Sequence, residues 1–488
     1  MRAWLFPVAL DAGADLPLFL QIARAISDDV ARGRLRPGGA LPGSRTLAAT
    51  LEVHRTTVVA AYAELAAQGW ITTRPGGATR VASVMPDPRP RRFSSRVRPR
   101  TGVPARAGFD VEALPSPPLA PPPPPGALAL WGGVPDVRLV PRDVIGRAWR
   151  RAVRGSHALL AYASDSRGEP RLRAALAGVV SATRGLAATA DDVLVVRGSQ
   201  MALDLAARAL IRPGDVAAVE APGYGPARRV LERSGARVVP VPVDRDGVDV
   251  AALEALAVRA PLRVVHLTPH HQYPTTVTLS PARRLALLEL ARRARFAVLE
   301  DDYDHEFHYD GRPVLPLASA DAHGVIVYIG TLAKVLAPGL RLGYVVAPRP
   351  LLDRMTAERR LIDWHGDQVL ERAVAELIED GELQRHVRRM RRIYERRRDV
   401  LCAGLDRRLP GILFYRRPAG GMALWADVER GVDVEAWAAR ARTAGLFFQT
   451  GRTFAFDGRP TPHLRLGFAV ANERELTQAV GILARTVG

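Results

Sequence analysis

Among 69 basic residues, the chain has a single lysine, Lys334, in the stretch GTLAKVLAPGLRLGY from Gly330 to Tyr344. Arginine can stand in for lysine as a partner of phosphate or carboxylate, but its guanidinium stays protonated and cannot attack a carbonyl. A lone lysine in an arginine-rich chain therefore marks a place where an amine is needed. Other groups of distinct chemistry follow apolar runs elsewhere. Arg197-Gly198-Ser199-Gln200 is a small-residue turn opening a helix, whose amides, hydroxyl and carboxamide suit a phosphate. Pro222-Gly223-Tyr224 offers an aromatic plate, Asp301-Asp302-Tyr303-Asp304 a carboxylate with a phenol, Thr331 a hydroxyl and Arg341 a guanidinium. Together these are the groups that pyridoxal phosphate requires. Its aldehyde needs an amine, its ring nitrogen a carboxylate, its phenolic oxygen a donor, and its phosphate an arginine with hydroxyls.

Something must bring these groups together. The apolar runs VLVV at Val193–Val196, AAVE ending at Glu220, ARVVPVPV, RVVHLTP, RFAVLE and VIVYIG alternate with helices rich in alanine, leucine and arginine. Continuous apolar strands alternating with helices predict a mostly parallel α/β sheet covered on both faces, with ligands beyond the carboxyl ends of its strands. Each chemical group above follows such an end.

At 488 residues the chain is too long for one ordinary core, and 48% hydrophobic with 24% charged residues is the composition of a globular protein. A net charge of +19 points to a polyanionic partner, although arginine bias alone also raises it. The one cysteine, Cys402, excludes an internal disulfide and reads as a small buried hydrophobe. Asp11 and Asp15 interrupt the apolar start, and no run of about 18 apolar residues occurs, so a cytoplasmic protein without a membrane span is expected. Proline and arginine crowd residues 86–126, which read as an extended linker whose arginines either touch DNA phosphates or stay solvated. The linker divides a module at 1–85 from a body at 127–488. Within the body, the basic run Arg388–Arg398 reads as a solvated helix face rather than, as the alternative, a surface that bends DNA along the body.

In the first module, Leu18–Leu35 predicts a helix stopped by Arg36-Pro37-Gly38-Gly39. Ser44 caps a second helix through about Leu51, and a third runs from Thr56 to Gln68. Two β-prone runs around Pro75-Gly76-Gly77 predict a hairpin. The segment LPGSRTLAATLEVHRTTVVAAYAELAAQGWI with this hairpin resembles the winged helix-turn-helix of the GntR family of bacterial regulators. The resemblance implies that Arg55, Thr56 and Thr57 enter the major groove of operator DNA, that Arg45 holds phosphate or base edges, and that Arg74, Gly77 and Arg80 place the wing. Glu52 stands where the family has a glycine, which implies turn strain. His54 stands where it has a serine, and either alters the DNA site or has no role.

The body, through YASDSRGEPRLRAAL, RGSQMALDLAARALIRPGD, EAPGYGPARR, TPHHQYPTTVTLSPARRLALLELA, LEDDYDHEF, GTLAKVLAPGLRLGY and RRMRRIYERRRDVL, resembles a fold type I aminotransferase with a small C-terminal α+β part. With the winged helix in front, the chain resembles the MocR/GabR subfamily of regulators. The resemblance implies a pyridoxal phosphate aldimine at Lys334, Asp301 at the ring nitrogen, Tyr303 at the phenolic oxygen and Tyr224 stacked on the ring. It assigns the phosphate to Ser199, Gln200, Thr331 and Arg341, with Tyr162 reaching in from a homodimer partner, and a substrate or effector carboxylate to Arg465. Ala333, Thr276 and Tyr273 depart from the pattern, replacing a serine, a glycine and an asparagine. The expected function is a transcriptional regulator sensing pyridoxal phosphate or an amino compound. The alternative is a working aminotransferase with an accessory DNA-binding domain. Pro226 offers no second carboxylate-binding cation, which disfavours a γ-aminobutyrate sensor. Asp302, Asp304, Glu306 and the histidines between them have the residue types of a metal site, but the resemblance accounts for them without one, and no metal is expected.

Overall fold

The computed structural model describes residues 10–11, 13–14, 16–73, 77–84, 106–111, 123–311 and 313–488. The chain divides into two compact units, Met1–Pro117 and Pro118–Gly488. Most of the Pro/Arg-rich stretch 86–126 lies outside the described residues.

The first unit has three helices, α1 (Leu18–Ala31), α2 (Ser44–Thr50) and α3 (Arg55–Ala67), then strands β1 (Ile71–Thr72) and β2 (Arg80–Val81) paired antiparallel. Ile22, Ile26, Leu47, Val58, Ala61, Leu65, Ile71 and Val81 form its core. The apolar period predicted α1 correctly but carried it too far. The helix ends before Gly33, which takes φ +72°, and the amides of Arg34 and Leu35 turn back to the Asp29 carbonyl at 2.9 and 3.1 Å. Ser44 is the first helical residue of α2 rather than its cap, a position held by Gly43. Glu52 takes φ +52° in the turn before α3, as the glycine usual there would do more easily. His54 has a role after all. Its Nδ1 accepts from the Thr56 amide at 3.4 Å and pairs with the Thr56 hydroxyl at 2.7 Å, capping α3.

In the second unit, strands are numbered onward: β3 (Leu128–Ala129), β4 (Val193–Val196), β5 (Val216–Ala221), β6 (Arg237–Asp244), β7 (Gly247–Val248), β8 (Leu262–Leu267), β9 (Ala297–Asp302), β10 (Ile326–Thr331) and β11 (Gly343–Val346). All but β3 form an eight-stranded sheet in the order β4-β11-β10-β9-β8-β5-β6-β7. The neighbours β10, β9, β8, β5 and β6 run parallel. Only β11, wedged between β10 and β4, and the edge strand β7 pair antiparallel. Strands β4, β5, β8, β9 and β10 are buried on both faces, which explains their unbroken apolar runs. In β4, Leu194 and Val196 enter one core while Val193 and Val195 enter another.

Four more strands follow the 27-residue helix Glu382–Arg408: β12 (Leu413–Phe414), β13 (Ala423–Val428), β15 (Gln449–Thr450) and β16 (His463–Gly467) form an antiparallel sheet in the order β12-β13-β16-β15. The remaining strand, β14 (Leu446–Phe447), pairs with β3 and so ties the start of the unit to its end. Trp437, fully buried, anchors this part through its indole N–H, which reaches the Leu483 carbonyl at 3.2 Å. The fold is thus a mostly parallel α/β sheet with a smaller α+β part, preceded by a winged helix.

Candidate functional site

The sheet order brings the chemical groups to one edge. Tyr224 follows β5, Asp301 lies near the end of β9 and Tyr303 just after it, Thr331 ends β10, and Ser199 opens the helix Ser199–Leu210 after β4. Because β11 runs the other way, Arg341, two residues before it, reaches the same edge. A cavity of about 200 Å³ lies between them, lined by Ser199, Gln200, Tyr224, Asp301, Tyr303, Thr331, Lys334 and Arg341 together with Tyr273 and the loop Gly132–Val134.

Gly198 sits ahead of the helix at φ +77°, and Arg341 packs against it with Nη2 3.2 Å from the Arg197 carbonyl. A side chain at position 198 would collide with this guanidinium. Gln200 donates to the Tyr224 hydroxyl at 3.3 Å. The Thr331 hydroxyl accepts from the Ala333 amide at 3.1 Å and so holds the turn that carries Lys334. Burial and the nearby Arg465 charge push the Lys334 amine below its ordinary pKa, against the opposing pull of Asp304 and Asp301.

Asp301 is buried, with one carboxylate oxygen 3.7 Å from His266 Nε2. Among the described residues its other oxygen, Oδ1, has no partner, and neither does the buried Tyr303 hydroxyl. Burial, then the Asp304 charge, raises the Tyr303 pKa well above normal, so the phenol keeps its proton. Burial and Asp301 raise Tyr224 to about 12. Tyr273 meets Tyr224 edge-on at 5.3 Å, and the Arg465 guanidinium lies 4.3 Å above the Tyr273 ring. Arg465 projects from β16 and is 1% exposed. Its Nε and Nη1 have no partner among the described residues. Tyr162 lies apart from the cavity lining and is 89% exposed.

Sequence reasoning passed over the layer beneath. His266 stands behind Asp301, and Glu220 accepts from the Thr268 amide and hydroxyl at 3.1 and 2.7 Å. Burial lifts Glu220 to about 7, although these bonds and His266 oppose the shift. Gly132 was missed too: a Cβ there would fall 2.3 Å from Arg465 Nη1. A histidine inside the apolar run RVVHL and the doubled glycine of WGG were the available signals.

In the first unit, Arg45, Arg55 and Thr56 are exposed at the starts of α2 and α3, whereas Thr57 is half-buried. Arg55 Nε lies 3.4 Å from the Ser44 hydroxyl, joining the two helix starts. Gly77 is exposed, and Arg80 donates to the Gly38 carbonyl at 3.0 Å. Arg74 lies outside the described residues.

Comparison with known proteins divides along the same lines. Residues 139–483 match the aminotransferase class I and II family, and residues 18–81 match the gntR family of bacterial regulatory proteins. A probable rhizopine catabolism regulatory protein, MocR, of Rhizobium meliloti is 33% identical over 98% of this chain and 95% of its own. The chain belongs to the MocR-type regulators of the GntR family. Another such regulator, TauR of Rhodobacter capsulatus, is 33% identical over 96% of both chains. Among solved structures, a multiple substrate aminotransferase from Thermococcus profundus superposes with a TM-score of 0.69 at 29% identity, covering 74% of this chain and 91% of that one. The α-aminoadipate aminotransferase LysN of Thermus thermophilus, solved with N-(5'-phosphopyridoxyl)-L-leucine, gives 0.68 at 29% identity, covering 74% and 92%. As a MocR-type protein the chain is a DNA-binding transcriptional regulator with an aminotransferase-like domain of a pyridoxal-phosphate-dependent fold. Among the described residues no helix is long and apolar enough to cross a membrane.

Proposed function

We propose that the large unit holds pyridoxal phosphate at Lys334, and that an amino compound bearing a carboxylate, drawn to Arg465, changes the affinity of the winged helix for operator DNA. The observation that carries this reading is a set of buried polar atoms without partners among the described residues: Asp301 Oδ1 and Tyr303 Oη on residues that line the cavity, and Arg465 Nε and Nη1 just behind its lining residues Gly132 and Tyr273. Each such atom costs about 1–3 kcal/mol when left unpaired, so the set fits a ligand with a matching acceptor, donor and anion. When bound, pyridoxal phosphate supplies an aldehyde that condenses reversibly with amines and a ring that withdraws electrons.

The chain's own residues do the rest. Lys334 presents an amine whose lowered pKa favours the neutral, nucleophilic form. Asp301 offers a buried carboxylate to a protonated ring nitrogen, and Tyr303 a protonated phenol to an oxygen. Ser199, Gln200, Thr331 and Arg341 gather donors at a helix start, where a phosphate is favoured. Arg465 supplies a planar fork for a carboxylate. In a homodimer, the assembly that the aminotransferase fold implies, the exposed Tyr162 serves the neighbouring copy's cavity. A repressor or activator bound to operator DNA acts in the cytoplasm.

The MocR and TauR relatives match 98% and 96% of this chain, whereas the aminotransferase structures cover 74% of it. Tyr273 also stands where aminotransferases present an asparagine, which favours sensing over turnover. The test measures operator binding by fluorescence anisotropy, with and without pyridoxal phosphate and a panel of amino acids and amines. Borohydride trapping followed by peptide mass spectrometry reads Lys334 in parallel. A ligand-dependent change in DNA affinity that Lys334→Ala abolishes is expected. DNA affinity indifferent to every ligand, alongside rapid amino transfer, would overturn the proposal.

A further inference from the structure

We propose that His270, His271 and His308 form a site for a divalent transition metal of the zinc type, next to the Lys334 cavity and separate from its lining. In the sequence the residue types of a metal site gather at Asp302, Asp304, Glu306 and the histidines between them. The sheet changes the set, because the carboxyl end of β8 delivers His270 and His271 beside the segment that follows β9. One ring nitrogen from each of His270, His271 and His308 then lies within 4.8 Å of the others. A tetrahedral zinc with nitrogen bonds of about 2.0–2.1 Å needs about 3.3 Å between ligands, a difference that small side-chain rotations close.

Two independent features point to a cation here. The first is a preset ligand. His271 Nδ1 lies 2.8 Å from Asp304 Oδ1, and both residues are buried. A carboxylate holding Nδ1–H fixes the tautomer and leaves the lone pair on Nε2, the arrangement that orients histidines on metals. In this arrangement Asp304 orients a ligand and does not need to be one. The second is unmet bonding capacity. His270 is 4% exposed, and neither of its ring nitrogens has a partner among the described residues; His308 Nδ1 is also unpartnered. The neighbouring rings do not satisfy His270, since those of His271 and His305 pack against it at centroid distances of 4.3 and 4.6 Å. His305 in turn faces Asp302, with Nδ1 3.2 Å from Oδ2. His308 is half-buried, so a cation has a way in from its side. Three imidazoles suit zinc, nickel or cobalt and leave one position open in a tetrahedral shell.

The test uses full-length protein purified without a histidine tag, saturated with pyridoxal phosphate and dialysed against chelator. Calorimetric titration with Zn2+ is expected to give one saturable site per chain at micromolar affinity or tighter, and Co2+ to give the visible absorption of a tetrahedral nitrogen-rich centre. His308→Gln, at a half-buried position, should weaken Zn2+ binding at least tenfold, and His270→Gln at least as much. Thermal unfolding without metal checks that both variants fold. If His270→Gln does not fold, His308→Gln decides alone. Absence of saturable Zn2+ or Co2+ binding by the wild-type chain, or undiminished binding by the folded variants, would overturn the proposal. Neither readout depends on DNA binding or on Lys334.

Discussion

The guanidinium of Arg465 lies 4.3 Å above the ring of Tyr273, buried and with two nitrogens unpartnered among the described residues. The ring lends the cation some stabilisation, but an aromatic face does not take up N–H donors aimed past it. Arg465→Gln should therefore abolish the preference for ligands with a carboxylate. An amino acid and its decarboxylated amine, titrated in parallel, should differ in the wild type and converge in the variant. Truncating a buried charged partner costs about 2–5 kcal/mol, so a loss of roughly a hundredfold in amino-acid affinity is expected. Gly132→Ala should reduce amino-acid affinity as well, because its methyl group would fall on the Arg465 guanidinium.

Lys334 makes the cofactor-free protein pH-sensitive. Its folded pKa lies below the ordinary 10.5, chiefly through burial. Between the two values the folded chain binds fewer protons than the unfolded chain, so stability rises with pH across that window. Above 10.5 the penalty is gone, and once pH has fallen through the folded value it is complete. Lys334→Met, which carries no charge, should be more stable than the wild type at neutral pH, with the gap closing as pH approaches 10.5. The gap should change by no more than about 1.4 kcal/mol per pH unit, the limit for one proton. Urea denaturation of both proteins, freed of cofactor, across that range is the measurement.

Lys334 was legible because it differs in kind from every other basic residue, and the strands were legible because burial on both faces leaves unbroken apolar runs. Asp301 and Tyr303 could be read because they share one strand end. His266 could not, because its meaning comes from Asp301 on the neighbouring strand, and pairing of β8 with β9 is not written in either run. Gly132 was silent for a similar reason: the clash it avoids is with Arg465, near the other end of the chain. β11 passed as the tail of the lysine motif, since four residues of GYVV carry no sign of strand direction. The overrun of α1 is a local matter. Leu35 continues the apolar period, but the left-handed Gly33 has already turned the chain.

Glu52 holds φ +52° where a glycine would meet no steric cost. A side chain in the left-handed region costs about 1–2 kcal/mol, and glycine returns part of that gain through its larger unfolded-state entropy. Glu52→Gly should stabilise the first unit by about 1 kcal/mol, or roughly 4–8 °C in midpoint for a domain of this size. The thermal transition of the first unit, followed by circular dichroism, checks this. Replacing His54 should act in the opposite sense, since His54→Ala removes the cap on α3 at a cost of about 0.5–2 kcal/mol.

Arg45 and Arg55 are both exposed at helix starts, yet they should fail differently. Arg55 opens α3, the second helix of the helix-turn-helix, and its Nε rests near the Ser44 hydroxyl rather than on a carboxylate. A guanidinium placed so can turn into the major groove and fork onto a guanine. Arg55→Ala should cost about 1–3 kcal/mol on the operator and little on unrelated DNA, narrowing the ratio between them. Arg45, on α2, is suited to the backbone, so Arg45→Ala should weaken operator and unrelated DNA alike and lower the slope of log affinity against log salt by about one. Salt titrations of both variants on both DNAs separate the two outcomes. A uniform loss for Arg55→Ala would move it to the phosphate backbone and leave base reading to Thr56, which shares its exposure at the start of α3.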